Sequence, residues 1–397
     1  MDTVLRSRAD RLQVLLSYGF RPFFLGAALW GAIAIALWIA ILTAGVSIPT
    51  RFDPLIWHIH EMLFGFVMAA MAGFLLTVVV AWTGRKPVSG AWLGVPVALW
   101  LLGRLELLIS QWSPVWFAIT ADVIFPLALT ATTARELIAA NNRRNFLILA
   151  PLRVLTATDL PIDLSMEGQE TLSGYGWRLV LTAILIMISA VGGRIIPSFT
   201  RNWLVARGET RLPAPTALVD PASLGVLHAT LLVWVLFPTA YATGIALPVA
   251  AVTNLWRLVR WRGAATRSEP LLAIMRAGYG WLVLGVGALG FASIDTAFPL
   301  DAAVHALTVG AIGTMILAVM TRVSRGHTGR RLSADRTTTG IYVLVILAAC
   351  ARVSAALAPG ARENLLLAAA AFWIAAFTLF ALRYAPCLLQ PRSLEQR

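Results

Sequence analysis

The sequence predicts an all-α, polytopic membrane helix bundle of about twelve transmembrane helices, with both termini in the cytoplasm. Three observations predict it. Of the 397 residues, 59% are hydrophobic and only 13% charged, with a mean hydropathy of +0.78, which is a membrane composition. Apolar stretches of roughly 20 residues, enough to cross a bilayer, recur along the whole chain. Between them, Lys and Arg fall in every second loop, the signature of cytoplasmic loops.

The stretches run 21–44, 58–80, 91–109, 114–134, 144–158, 175–197, 223–241, 243–261, 270–293, 302–322, 338–358 and 364–384. The first follows a polar segment, residues 1–13, with Arg6, Arg8 and Arg11 and no small-residue cleavage site, so a removed signal peptide is not expected. The second carries no charge over 62–84 and stops at Arg85 and Lys86. The fourth leads to Arg143 and Arg144, and the fifth, the shortest, holds Arg153. Acids follow it on the other side: Asp159, Asp163, Glu167 and Glu170. The sixth stretch ends before Arg201, Arg207 and Arg211, and the eighth at Arg260, Arg262 and Arg267. Asp295 and Asp301 separate the ninth and tenth, and Arg325, Arg330, Arg331 and Arg336 follow the tenth. This unbroken alternation supports an even number of spans.

The whole chain, 1–397, therefore reads as one integral-membrane domain with helices over about 21–384. The longest non-apolar stretch, about 198–222, is too short for a soluble core. The formal charge of +13 belongs to the cytoplasmic loops, and no nucleic-acid partner is expected. Cys350 and Cys387 both lie in apolar stretches, which excludes a disulfide framework or a cysteine metal site. No internal repeat stands out, so an inverted-repeat transporter is not indicated.

The chemistry concentrates at Trp57-His58-Ile59-His60-Glu61-Met62, where the second span opens. The chain has five histidines, and His58, His60 and His305 all fall at the starts of apolar helices. Ionisable groups at membrane depth are costly and usually functional, and imidazole is a common ligand for haem, copper and zinc. With the predicted topology, His58, His60, Glu61 and His305 share the outer half with Arg104, Glu106, Asp122 and Arg352. Residues two apart on a helix point about 200° from one another, so on an intact helix His58 and His60 address different centres, and they share one metal only if the helix start is unwound. Gly65, Gly310 and Gly313 leave room for a flat ring or for close helix packing. Arg104 and Arg352 suit either haem propionates or an internal pair with Asp122. On the inner side lie Arg21, Arg194, Arg276, His228, Arg322 and His327. His327, in a Gly-rich basic loop, reads as solvated or as a metal ligand, and His228 as a hydrogen-bonded packing residue.

Several segments together resemble the NnrS family of bacterial membrane proteins. They are Tyr18-Gly19-Phe20-Arg21-Pro22-Phe23-Phe24, the His58–Glu61 motif with Phe64-Gly65-Phe66, Gly73-Phe74-Leu75-Leu76-Thr77 and Trp82-Thr83-Gly84-Arg85. Gly192-Gly193-Arg194-Ile195-Ile196-Pro197 and the run from His305 through Gly310 to Arg322 and Gly326-His327-Thr328-Gly329-Arg330 complete the set. The resemblance implies a multi-pass protein of the bacterial inner membrane, containing haem b and copper and tied to nitric oxide metabolism and nitrosative-stress protection. It implies metal ligands at His58, His60, His305 and His327 and cofactor contacts from Arg21, Arg104, Arg194 and Arg322, to which the residue reading adds Arg352 as a candidate propionate partner. One departure is Arg276, which stands where relatives carry a His ahead of the Gly-Tyr-x-Trp element.

The function expected is binding or redox chemistry of nitric oxide at a His-ligated metal in the outer half, with Glu61 moving a proton. Nitric oxide can arrive through the lipid, so no polar substrate channel is required. The electron donor is not identifiable, and a homo-oligomer is left open. The alternatives are a transporter or metal- or haem-handling protein without redox turnover, and a structural or regulatory protein without any chromophore.

Overall fold

Twelve long helices order the chain, and their ends follow local chemistry. The structure is a computed structural model that describes residues 10–164 and 170–393. Helix α1 is Phe20–Ala44 and α2 is Pro54–Thr83. Asp53 starts α2 by accepting the Leu55 amide at 2.8 Å, with Pro54 in the first turn, where a missing N–H costs nothing. Helix α3 (Ala91–Ile109) ends in a 3₁₀ turn, Ser110–Trp112, before α4 (Val115–Ala139). Helices α5 (Leu149–Asp163), α6 (Glu170–Val205), α7 (Val219–Leu236) and α8 (Tyr241–Arg260) follow. Helix α9 (Pro270–Ile294) is capped by Glu269 on the Leu271 amide at 3.2 Å. Helix α10 is Leu300–His327, α11 is Arg336–Leu357 and α12 is Arg362–Leu388.

Among the described residues, eleven of these helices are long and apolar enough to cross a membrane. The remaining one is α5, at 15 residues. The fifth stretch, expected over 144–158, is displaced: a 3₁₀ turn fills Arg143–Ile148 and the helix then runs on through Asp163. Large apolar side chains such as Trp92, Trp116 and Leu147 lie outward and exposed, the pattern of a surface solvated by lipid rather than water.

The chain divides into two compact units. The first comprises residues 1–180, 320–332 and 377–397, and the second 181–319 and 333–376. In the first, α1 packs along α2, and α5 is tied to α4 by Thr130 Oγ1 and Thr156 Oγ1 at 2.8 Å and by Thr156 on the Pro126 carbonyl at 3.3 Å. In the second, α9 packs along α8 and against the start of α10, where the Leu307 side chain fills the space at Gly285.

A repeat that is faint in the sequence becomes legible in the backbone. Residues 54–85 and 299–330 align without a gap, sharing Pro54/Pro299, Leu55/Leu300, His60/His305, Gly65/Gly310, Val78/Val323, Thr83/Thr328, Gly84/Gly329 and Arg85/Arg330. Immediately after the shared histidine both helices widen into a π segment, Glu61–Val67 in α2 and Ala306–Gly313 in α10. Both end at a left-handed glycine, Gly84 at φ +68° and Gly329 at φ +75°, a conformation that penalises any side chain. The following helices each carry an arginine near their C-terminal end, Arg104 in α3 and Arg352 in α11, ahead of a 3₁₀ turn.

Candidate metal centre

The π segment of α2 places the polar groups of the first unit. A π turn closes i→i+5 bonds and shifts the side-chain register by one residue; such segments are rare and concentrate at functional sites. Trp100 donates its indole N–H to the Gly65 carbonyl within it at 2.9 Å. The helix is intact α up to His60, so His58 and His60 diverge. The His58 ring stacks on Trp38 with centroids 4.5 Å apart. His60 turns inward and is fully buried, its two faces covered by Phe52 and Phe64 at 5.3 and 4.9 Å.

His60 Nε2 faces three carboxylates: Asp122 Oδ2 at 2.9 Å, Asp159 Oδ1 at 3.2 Å and Asp163 Oδ1 at 3.5 Å. Asp122 comes from α4 and the other two from α5, where their i, i+4 spacing puts them on one face. His60 Nδ1 lies 3.4 Å from Glu61 Oε1. Glu61 is itself gripped: Arg104 Nη1 donates to both its oxygens at 3.0 Å, and Trp30 Nε1 donates to Oε2 at 2.7 Å. The other Arg104 nitrogen, Nη2, donates to Asp122 Oδ1. Every one of these ionisable groups is 2% exposed or less.

Four carboxylates thus meet one guanidinium and one imidazole, away from water. A single imidazole nitrogen can donate to one carboxylate, not three. Both oxygens of Asp163 and Oδ2 of Asp159 are buried without a hydrogen-bond partner among the described residues. Uncompensated buried charge costs several kcal/mol per group, so this arrangement calls for a cation or for protons. Donor atoms of His60, Asp122, Asp159 and Asp163 all lie within 4.8 Å of one another. Around an ion bonded at about 2.2 Å, donors sit about 3.1–4.4 Å apart, so a small metal ion fits after a contraction of a few tenths of an ångström. A porphyrin does not fit here, because three aspartate oxygens already lie within 3.5 Å of His60 Nε2 and Glu61 Oε1 lies 3.4 Å from Nδ1.

The remaining expected site residues separate into several environments. The space at Gly65 is filled by the Trp30 indole, and that at Gly310 and Gly313 by Trp281 and Trp373, whose ring atoms would come within 2.7 and 2.5 Å of an added Cβ. These glycines serve tryptophan packing. In the second unit, His305 Nδ1 donates to the Asp301 carbonyl at 2.7 Å, which makes Nε2 the lone-pair nitrogen of the ring, the tautomer found in many metal-bound histidines. Arg352 and Arg362 lie 3.7 and 3.4 Å from Asp301 Oδ2. His228 bonds Ser189 Oγ at 2.9 Å, a packing role, and the Arg276 stem fills the space beside Gly263. Arg194 is exposed on α6, and Arg322 is half-buried on α10. In the first unit, Arg21 donates to the Leu388 and Gln390 carbonyls at 2.7 and 2.8 Å, closing the end of α12. His327 packs its ring on Tyr18 and Phe20 at 5.4 and 5.6 Å.

Asp159 and Asp163 are the residues that sequence reasoning missed. Positive-inside counting makes them loop acids, because the apolar run of the fifth span stops at 158. The signal available was their i, i+4 spacing directly after an apolar run.

A family model described as NnrS protein matches residues 14–392, nearly the whole chain, and the chain belongs to the NnrS family. No curated protein matches it.

Proposed function

We propose that this NnrS-family chain is a membrane protein containing haem and a second metal ion, acting in nitric oxide metabolism or nitrosative-stress protection through metal-bound nitric oxide. The observation that carries the metal part of this reading is the buried group His60, Asp122, Asp159 and Asp163, whose excess negative charge needs a cation. Family membership supports the nitric oxide part. For haem b, His305 has the fitting donor chemistry: its Nδ1–H is anchored on a backbone carbonyl, and Arg352 and Arg362 are at hand for carboxylates. A ferrous haem supplies an open coordination position that takes nitric oxide.

The chain's own residues then have defined tasks. Arg104 and Trp30 hold Glu61 in place, and Glu61 holds or passes a proton at Oε1, 3.4 Å from His60 Nδ1. Phe52 and Phe64 exclude water from the imidazole, which strengthens every charge interaction in the site. An apolar gas needs no polar channel to reach it from the lipid.

The test is the optical spectrum of the detergent-purified protein, oxidised and reduced, with and without nitric oxide, with metals quantified per chain. The reading expects a reduced haem band that nitric oxide shifts and that His305→Ala removes. A colourless protein without stoichiometric metal contradicts it.

A further inference from the structure

The donor set at His60 specifies more than the presence of an ion. We infer that the cluster of His60, Asp122, Asp159 and Asp163 binds one oxygen-preferring first-row divalent ion, manganese(II) or iron(II), and not copper(I); the inference rests on reading this cluster as a metal centre.

Three observations carry it. The donors are one imidazole nitrogen and three carboxylate oxygens, whereas copper(I) selects thiolate, thioether or several imidazoles. No cysteine or methionine is among the cluster's residues. Carboxylates suit manganese and the imidazole adds affinity for iron, so the combination points between them. Next, the unpartnered oxygens converge on the ion position: Asp163 Oδ1 and Asp122 Oδ2 each have no hydrogen-bond partner among the described residues yet lie within 3.5 Å of His60 Nε2. Finally, charge sets the scale. Glu61 is matched by Arg104, which leaves three aspartates around a neutral imidazole. A divalent ion cancels two of their charges, and the one remaining is shared with the second Arg104 nitrogen through Asp122. A monovalent copper ion would leave two.

The repeat provides a built-in comparison. His305 stands in the register of His60, but Ala306 replaces Glu61. Moreover, among the described residues no second group of three or more His, Cys, Asp or Glu converges as this one does. Among the described residues the second copy has the histidine without such a group of acids, so the ion is assigned to the first copy.

The experiment is element analysis of full-length protein purified from cells supplied with manganese, iron and copper, with Mn²⁺ then titrated into chelator-treated protein. Wild type is expected to hold about one manganese or iron per chain and to show a rise in Tm on adding Mn²⁺. Asp163→Asn should weaken Mn²⁺ binding at least about 10–100-fold, the range that loss of even an outer partner produces. The double variant Asp159→Asn/Asp163→Asn removes two repelling charges, so it should fold with a higher metal-free Tm than wild type and show no Mn²⁺ response. Should copper be the ion lost in these variants, the assignment of class is wrong while the metal centre stands. Absence of any ion lost on changing the aspartates overturns the site itself. A haem signal that nitric oxide shifts would still stand apart from either result.

Discussion

Replacing Arg104 with methionine tests the electrostatics of the buried centre. The guanidinium makes two 3.0 Å contacts to Glu61 and a third to Asp122, and all three residues are 2% exposed or less. Methionine keeps much of the volume but leaves two carboxylates buried without their cation. Breaking a buried pair by removing one partner costs about 3–5 kcal/mol. The entropy of unfolding, about 2.1 cal/mol/K per residue, gives roughly 0.8 kcal/mol/K for a chain of 397 residues. The expected fall in Tm is therefore roughly 4–6 °C, read by tryptophan fluorescence of the metal-free protein in detergent. Arg104→Lys should recover only part, because an ammonium cannot bridge Glu61 and Asp122 as a planar fork does. Adding Glu61→Gln to Arg104→Met should restore stability, with a coupling above about 1 kcal/mol. A Tm for Arg104→Met within about 1 °C of wild type would refute the reasoning.

Further predictions follow from the same geometry. Gly65→Ala should cost about 1–3 kcal/mol by overpacking, since the new methyl meets the Trp30 indole and lies 2.7 Å from Glu61 Oε2. Gly225→Ala, inside α7 and opening into free space, should instead stabilise by about 0.4–1 kcal/mol. Trp30→Phe removes a donor to a buried carboxylate and should destabilise by about 1.5–3 kcal/mol, measured by the same thermal scan. Metal binding at the cluster should weaken as pH falls, because protons compete for the carboxylates and the imidazole that must bind the ion deprotonated. Manganese electron paramagnetic resonance between pH 8 and pH 5 reads this directly, and binding unchanged across that range would exclude these residues as ligands.

Much of the fold is legible in the sequence, because a hydrocarbon solvent imposes one simple rule on length and polarity. Eleven spans follow from it, and helix starts such as Asp53-Pro54 and Glu269-Pro270 carry their own capping chemistry. The centre is only half legible. His60, Glu61 and Arg104 stand out as charges in apolar runs, and the divergence of His58 from His60 follows from helical geometry. Asp159 and Asp163 are hidden by a boundary error of five residues. A helix of 15 residues, with one face buried and Arg153 and Leu160 exposed on the other, falls short of the roughly 20 residues that a span requires, so the hydropathy rule fails there. The repeat is hidden for another reason. Eight identities in 32 positions are lost among apolar residues that exchange freely, and only the paired π segments and left-handed glycines fix the register. Room left by glycine is equally ambiguous in sequence. At Gly65, Gly310 and Gly313 the occupant is tryptophan.

The account turns on one claim, that an ion sits among His60, Asp122, Asp159 and Asp163. The most direct measurement is an anomalous-difference density map of the full-length protein, recorded at the manganese and iron absorption edges and again at the copper edge. The account predicts one peak per chain at the manganese or iron edge, about 2.0–2.3 Å from His60 Nε2 and the aspartate oxygens. Clear density for the four side chains with no ion between them, and the carboxylates held together by shared protons alone, would contradict it.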